Sequence, residues 1–165
     1  MGFNLIVEYG DAGYFSARQE IAEIIRTLGD DKAEVELLCP GHLGVKTKLN
    51  PRAIIEEIVD QYVRNPESIS AMKKIIPVDN WCKTDISQIR SIIREDIKYM
   101  LSEKDKYNLS INTHTDSVNA EDLEREIRSI IKAEESDMPE KILRIDAFDN
   151  GVAITLMRPK DLFSR

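Results

Sequence analysis

Hydrophobic and polar positions alternate with two different periods along the first half of the chain, and the period predicts the type of each element. Alternating apolar residues indicate strands, whereas apolar residues three and four apart indicate the inner face of a helix. The first half is therefore predicted to run strand, helix, strand, strand, helix, strand. The predicted bounds are Phe3–Glu8, Phe15–Leu28, Val35–Cys39, Leu43–Leu49, a helix between Asn50 and Asn65, and Lys73–Val78.

The second half continues with a helix, a strand, a helix and two strands. Thr84 and Asp85 are residue types that cap the first of these helices, Asn119 is one that caps the second, and Asn150-Gly151 predicts a hairpin turn. The predicted bounds are Ile86–Leu101, Tyr107–Thr113, Ala120–Lys132, Lys141–Ala147 and Val152–Met157. The chain is thus predicted to be α/β (α+β), with an N-terminal β-α-β-β-α-β unit of ferredoxin-like order followed by an α-β-α-β-β unit.

Two strand-to-helix junctions stand out, IIPVDNWCKTD over residues 75–85 and the TDSVNAEDLEREI run from Thr115. The backbone N–H groups at the start of a helix attract anions, and phosphate is the commonest anion held there. The two junctions together predict a ligand-binding edge at which helices 86–101 and 120–132 begin.

These junctions, together with the closing VAITLMRPKDLF run, resemble the THUMP domain, an RNA-binding module of tRNA-modifying enzymes. Pro77, Cys82 and Lys83 make the chain most similar to the stand-alone THUMP proteins that act as adaptors for tRNA cytidine N4-acetylation. The resemblance implies a ferredoxin-like subdomain over 1–80 and a THUMP-like RNA-binding subdomain over 81–165. It implies tRNA and an RNA acetyltransferase, or another tRNA-modifying enzyme, as partners.

Charge is the main argument against RNA binding, because 23 Lys and Arg residues face 30 Asp and Glu residues and the net charge is −7. The bases are unevenly distributed, however, and segments outside 1–36, 53–70 and 117–138 carry an excess of them. The strand end and loop over 112–116 have also lost the arginines or lysines that THUMP domains commonly place there, which predicts weaker, more salt-sensitive or partner-assisted RNA binding. The candidate RNA contacts are Lys46, Lys48, Arg52, Trp81, Lys83, Thr113, His114, Arg158 and Lys160.

No catalytic motif is found, and the chain lacks GxSxG, HExxH, GxxxxGK[ST] and GxGxxG sequences. His42 and His114 are far apart along the chain and neither lies in a motif with Cys39 or Cys82, so the cysteines are interpreted as small apolar residues. We expect no catalytic residue, no metal and no cofactor. The acidic start and the lack of a long apolar run predict a cytoplasmic protein with no membrane or DNA partner.

The sequence therefore predicts a non-catalytic tRNA-binding adaptor. We expect either a complete adaptor or one domain of a longer protein, and Met1 favours completeness at the N-terminal side. Two alternatives stay open. The first is a protein-interaction module with a THUMP-like fold that has lost RNA binding, which the acidic charge allows. The second is a small-molecule enzyme whose catalytic groups converge only in space.

Overall fold

The computed structural model describes residues 2–165, and Met1, the first residue of the predicted N-terminal subdomain, lies outside them. The chain forms two compact units. The first unit runs to Val78 and also contains Lys160–Arg165, whereas the second unit is Asp79–Pro159. The last six residues thus belong with the first unit, although the sequence analysis placed all of 81–165 in one subdomain.

The first unit is a five-stranded antiparallel sheet with two helices. Its strands lie in the order β10-β4-β1-β3-β2, and the short β10 joins the sheet by pairing with β4. The elements are β1 (Leu5–Tyr9), α1 (Gly13–Thr27), β2 (Glu34–Cys39), β3 (His42–Lys46), α2 (Pro51–Arg64), β4 (Met72–Pro77) and β10 (Phe163–Ser164).

Local sequence explains how α2 begins and which face it buries. The side chain of Asn50 accepts hydrogen bonds from the N–H groups of Arg52 and Ala53, and Pro51 supplies a fixed φ at the first helical position. Ile54, Ile55 and Ile58 then fall on one face and are buried in the core of this unit. The start of α2 is therefore fixed by its cap on one side and by core packing on the other.

The second unit is a mixed five-stranded sheet whose strands lie in the order β5-β9-β8-β6-β7. Strands β6 and β8 are parallel, while β9 is antiparallel to both of its neighbours, β5 and β8. The strands are β5 (Asn80–Cys82), β6 (Lys106–His114), β7 (Glu134–Glu135), β8 (Lys141–Phe148) and β9 (Gly151–Met157), and the longest helix is α5 (Ala120–Ile130). The sequence analysis predicted no strand over Asn80–Cys82 and placed this segment in the strand-to-helix junction, but Trp81 pairs with Ala153 of β9.

The helix predicted over Ile86–Leu101 is observed as three consecutive segments. These are α3 (Ile86–Ile92), a π-helical turn (Ile93–Ile97) and a last short turn, α4 (Lys98–Met100). The buried residues Ile89, Ile93 and Ile97 are four positions apart, a spacing that drifts around an α-helix with 3.6 residues per turn. The wider π-turn keeps all three on the face that packs into the core.

The two faces of β8, in the sheet of the second unit, carry different side chains. Leu143, Ile145 and Ala147 alternate along β8 and belong to the core cluster that includes α3 and α5. On the other face of β8, Arg144 and Asp146 form a buried bidentate pair, with Nε–Oδ2 and Nη2–Oδ1 distances of 2.9 and 3.1 Å. Among residues 2–165, no helix is long and apolar enough to cross a bilayer.

Candidate nucleic-acid interface

The carboxyl ends of β5, β6 and β8 meet at one edge of the second unit. Because β5 and β8 are both antiparallel to β9, they run in the same direction as each other and as β6. The turns that lead into α3 and α5 therefore lie at the same edge of the sheet. Open α/β sheets bind ligands at such an edge, which was the expectation drawn from the two sequence junctions.

At each of these helix starts, one first-turn amide is already bonded to the capping side chain. The carboxylate of Asp85 accepts the Ser87 N–H at 3.0 Å, and the side-chain oxygen of Asn119 accepts the Asp122 N–H at 3.0 Å. Thr84 does not cap α3 as predicted. Its hydroxyl instead donates to the carbonyl of Phe148 at 2.6 Å and ties the β5–α3 turn to the end of β8.

Negative charge dominates this edge. The N–H and hydroxyl of Ser87 lower the pKa of Asp85, so Asp85 is ionised at neutral pH. Asp85, Asp116 and Asp149 are all exposed here, and Lys83 is the exposed base that accompanies them. The first turn of α5 adds two carboxylates, those of Glu121 and Asp122. These carboxylates argue against the prediction that these helix starts are phosphate sites, because a phosphate would meet fixed negative charge.

Trp81 and His114 belong to a row of stacked rings at this edge. The Trp81 ring lies 6.4 Å from that of Phe148 at an interplanar angle of 24°, and the His114 ring lies 5.0 Å from it at 15°. Phe148 is fully buried. Trp81 also covers Gly151, where an added Cβ would come within 2.2 Å of the indole. This packing holds Trp81 as an anchor of β5 on β9.

Two other candidate residues of the second unit do not belong to this row of rings. Thr113 pairs with Ala147 and lies on the opposite face of β6 from its neighbour His114, because successive strand residues alternate. Arg158 follows the far end of β9, six positions beyond Val152, the partner of Cys82. At about 3.3 Å per residue that separation is roughly 20 Å, so Arg158 and Lys83 do not share one edge.

In the first unit, the end of the chain returns to the start of α2. The Nε atom of Arg52 lies 3.5 Å from Oδ2 of Asp161, whose side chain is only 9% exposed. Lys160 precedes Asp161 and is exposed. Arg52 and Lys160, which are far apart in sequence, are therefore placed at the same end of the first unit.

The segment that leads into α2 is held by a buried carboxylate. Asp30 accepts the hydroxyl of Thr47 at 2.6 Å and the N–H of Lys48 at 3.0 Å. The Thr47 hydroxyl bond makes the largest contribution to lowering the pKa of Asp30, and the Lys48 N–H bond comes next. The side chain of Lys48 is exposed beside this braced backbone.

Lys46 is more enclosed than Lys48. Its Nζ atom lies 4.9 Å from the centre of the Phe3 ring and 3.9 Å from Oε2 of Glu34. The cation is thus shared between an aromatic face and a carboxylate on the neighbouring strand β2. Of the predicted bases in the first unit, Lys48 and Lys160 present the most exposed charge.

The start of α2 differs from those of α3 and α5 in its charge. No acidic residue lies in the first turn of α2. Lys48 precedes the Asn50 cap by two residues, Arg52 lies in the first turn, and Lys160 is the chain neighbour of Asp161, the acid that pairs with Arg52. The positive end of the helix dipole adds to these side chains. We call Lys48, Arg52 and Lys160 the α2-start cluster.

One side-chain grouping was missed by the sequence analysis. Sγ of Cys39 lies 3.5 Å from Nδ1 of His42, although neither residue was assigned to a motif. The signal was present in the sequence as a Cys and a His flanking the Pro40-Gly41 turn, which brings the first and fourth residues of a hairpin turn together.

Comparison with known proteins gives structural likeness without sequence likeness. No protein-family model matches the chain, and no curated protein matches it. Solved structures do match. PH1313 from Pyrococcus horikoshii OT3 has a TM-score of 0.60 at 14% identity, over 96% of this chain and 55% of that chain.

Two further neighbours have similar scores. A 4-thiouridine synthetase, solved as an RNA complex with bound ATP, has a TM-score of 0.56 at 12% identity, over 96% of this chain and 42% of that chain. TrmN from Thermus thermophilus has a TM-score of 0.57 at 8% identity, over 94% of this chain and 46% of that chain. This chain therefore spans about half the length of these neighbours, or less.

PH1313 and the 4-thiouridine synthetase contain THUMP domains, so the chain has a THUMP-like fold, with α and β elements in two sheet-based units. This agrees with the fold that the sequence resemblance implied. At these identities the likeness establishes the fold alone, and the function has to be argued from the residues of this chain.

Proposed function

We propose that this chain binds tRNA and presents it to a separate tRNA-modifying enzyme. The observation that carries the proposal is the α2-start cluster, in which Lys48, Arg52 and Lys160 lie at the end of the first unit where α2 begins, with no acid in its first turn. Lysine and arginine side chains contact phosphates, and such contacts fix the register of a nucleic acid without reading its sequence. A positional role of this kind suits an adaptor.

The likeness to solved structures supports the same proposal. The THUMP-like fold extends over 96% of this chain in the match to a 4-thiouridine synthetase that was solved with RNA. TrmN and the 4-thiouridine synthetase are each longer than the part that this chain matches. The chain is proposed to correspond to their shared THUMP-like portion.

The adaptor role and the acetyltransferase partner rest on the sequence resemblance. We propose that the chain is non-catalytic, acts in the cytoplasm and serves an RNA cytidine acetyltransferase, so that the product is N4-acetylcytidine in tRNA. The purified chain should then fail to acetylate, thiolate or methylate tRNA when it is given the usual group donors, and adding the cognate enzyme should restore activity. Turnover by the chain alone, retained after repurification, would overturn the adaptor role.

Binding is tested by titrating whole tRNA at several salt concentrations, with fluorescence anisotropy as the readout. The logarithm of affinity should fall linearly with the logarithm of salt, by about 0.7 to 0.9 per neutralised phosphate. The double variant Lys48→Ala/Lys160→Ala should lower affinity roughly thirtyfold and make that slope shallower by about one to two. The control Lys32→Ala/Lys104→Ala makes the same change of charge at two other exposed lysines.

Two results would contradict the proposal. Equal affinities for tRNA and for an RNA duplex of the same length would show that the chain recognises only polyanionic charge. Equal affinities for the cluster variant and for the control variant would show that the α2 start is not the RNA site.

A second candidate function is favoured by the acidic edge of the second unit. Asp85, Asp116 and Asp149 offer a surface that repels RNA and attracts a basic protein surface. The chain would then be a protein-interaction module that has lost RNA binding. Absence of tRNA binding, together with co-purification of a protein partner that Lys83→Glu does not weaken, would favour this candidate.

A further inference from the structure

The hairpin between β2 and β3 places a thiol against an imidazole. Cys39 and His42 are the first and fourth residues of the turn, with Pro40 and Gly41 between them, and the φ of Gly41 is +92° as the third position of a type II turn requires. The β2–β3 register also shifts between Leu37 and Cys39. A shift of this kind re-aims the following side chain, and here it puts Cys39 on the face that carries His42.

A carboxylate completes the group from the other side of the imidazole. Sγ of Cys39 lies 3.5 Å from Nδ1 of His42, and Nε2 of His42 lies 4.0 Å from Oε1 of Glu8, which is the partner of His42 in the β1–β3 register. The side chains of His42 and Glu8 are 15% and 27% exposed, and Cys39 is half-buried. The three groups are thus partly shielded from water, which strengthens the interaction between their charges.

This order of groups is the one that activates a nucleophilic thiol. A base within reach of the sulfur accepts its proton, and a carboxylate beyond the base favours the protonated imidazole that results. We propose that Cys39 is a reactive thiol of this chain, that His42 is its base and Glu8 a positioning residue, and that low-molecular-weight disulfides are the physiological class of reagent. The proposal is independent of RNA binding.

The reaction balances as a thiol–disulfide exchange. The proton of Cys39 passes to Nδ1 of His42, and the resulting thiolate attacks one sulfur of the disulfide. A new S–S bond forms to Cys39 as the old one breaks, and the departing thiolate takes a proton from His42 or from water. The disulfide is the oxidant, and one of its halves is released as a reduced thiol.

The second cysteine supplies an internal comparison. Burial, reinforced by the charge of Asp85, raises the pKa of Cys82 to about 11. At pH 7 only about one part in ten thousand of such a thiol is thiolate. Cys82 packs against the core of the second unit and has the environment of an inert structural cysteine. A difference in reactivity between the two thiols therefore reports on the Cys39 site.

The test is alkylation of the full chain with iodoacetamide at pH 7, with mass spectrometry of the modified peptides. A separate, unalkylated sample is treated with oxidised glutathione as the disulfide probe. Cys39 should react at least tenfold faster than Cys82. The Cys82→Ser variant should keep the fast reaction, and Cys39→Ser should lose it. His42→Ala should slow the modification of Cys39 about tenfold and Glu8→Gln about threefold.

A urea unfolding transition is measured for each variant to show that it is folded under the labelling conditions. If His42→Ala is unfolded, the milder substitution Glu8→Gln still tests the proposal. Equal rates at the two cysteines would overturn the proposal, as would a Cys39 rate that Glu8→Gln and His42→Ala leave unchanged. Labelling that begins only after a chelator is added would also overturn it, because the thiol and imidazole would then be metal ligands.

Discussion

The start of α2 and the start of α5 have the same backbone geometry and opposite electrostatics. Each is capped by an asparagine, Asn50 or Asn119, whose side-chain oxygen accepts an N–H of the first turn. The first turn of α2 contains no acid and is flanked by lysines, whereas that of α5 contains Glu121 and Asp122. The helix dipole is common to both, so the side chains of the first turn decide which start tolerates an anion.

The largest effect should come from reversing charge at the α2 start. Lys48→Glu/Lys160→Glu replaces two exposed cations by anions, so two phosphate contacts are lost and repulsion is added. We expect a loss of tRNA affinity of about a hundredfold, or roughly 2.7 kcal/mol. The urea midpoint should stay within about 0.5 kcal/mol of the wild type, because both side chains are exposed.

The matched reversal at the other edge is Lys83→Glu in the second unit. It should leave tRNA affinity within about twofold of the wild type, since the surrounding Asp85, Asp116 and Asp149 repel phosphate. If Lys83→Glu weakens tRNA binding as much as the α2-start reversal does, the two edges do not differ in RNA binding and the acidic edge does contact RNA.

Periodicity predicts most of the fold because the two cores are built from regularly spaced apolar residues, as Ile54, Ile55 and Ile58 show in α2. The strand Asn80–Cys82 could not be predicted in this way. It is three residues long, it lies in a polar stretch, and it is defined only by pairing with β9 some seventy residues later. Local pattern carries no information on such a partner.

The candidate site was harder to predict than the fold for the same reason. The sequence identified Arg52 and Lys160, but their proximity depends on a chain end that returns to the first unit and on the Arg52–Asp161 ion pair. The sequence also named Lys83 and Arg158 among the candidate RNA contacts, and the antiparallel register of β9 separates these two residues. Charge counts by segment are informative only once the topology is known.

The second prediction concerns the caps that both helix starts share. Asn50→Ala and Asn119→Ala should each lower the free energy of unfolding by about 1 kcal/mol, because each leaves a first-turn N–H without its acceptor. Urea unfolding measures both losses. The variants should differ in RNA binding, since Asn50→Ala loosens the backbone of the α2-start cluster and Asn119→Ala does not.

The two cap variants distinguish the effect of backbone position at the α2 start from the effect of its lysine charges. If tRNA affinity falls severalfold in Asn50→Ala and is unchanged in Asn119→Ala, the position of the α2 start matters for binding. Equal tRNA affinities in the two variants would mean that the lysines act as mobile charges, independent of the helix that carries them.

The third prediction concerns the pH dependence of the stability that Asp30 gives to the segment before α2. The bonds from Thr47 and Lys48 lower the pKa of Asp30 below its ordinary 3.8, so ionised Asp30 stabilises the fold at neutral pH. That contribution is complete above pH 3.8 and is lost as the pH falls toward the lowered pKa. The wild type should be more stable than Asp30→Asn at pH 7, and urea unfolding should show the difference shrinking below about pH 4.

A constant difference between the wild type and Asp30→Asn from pH 7 to pH 3 would contradict this reasoning. Asp85→Asn is the matched variant at the acidic edge, since Asp85 also has a lowered pKa and asparagine is an equally good cap. It should show the same acid dependence without affecting the α2-start cluster.

The smallest effect on tRNA affinity is expected from removing the carboxylate that pairs with Lys46. Its Nζ atom lies 3.9 Å from Oε2 of Glu34, whose side chain is 63% exposed, and exposed pairs of this kind contribute little to stability. Glu34→Gln should therefore leave the urea midpoint unchanged within error while removing a carboxylate that competes with phosphate for Lys46. We expect tRNA affinity to rise by about twofold at low salt, with the gain disappearing at high salt because the pair is screened. Glu36→Gln, on the same strand and exposed, is the control, and a gain of the same size in that variant would mean that overall charge, not Lys46, produces the effect.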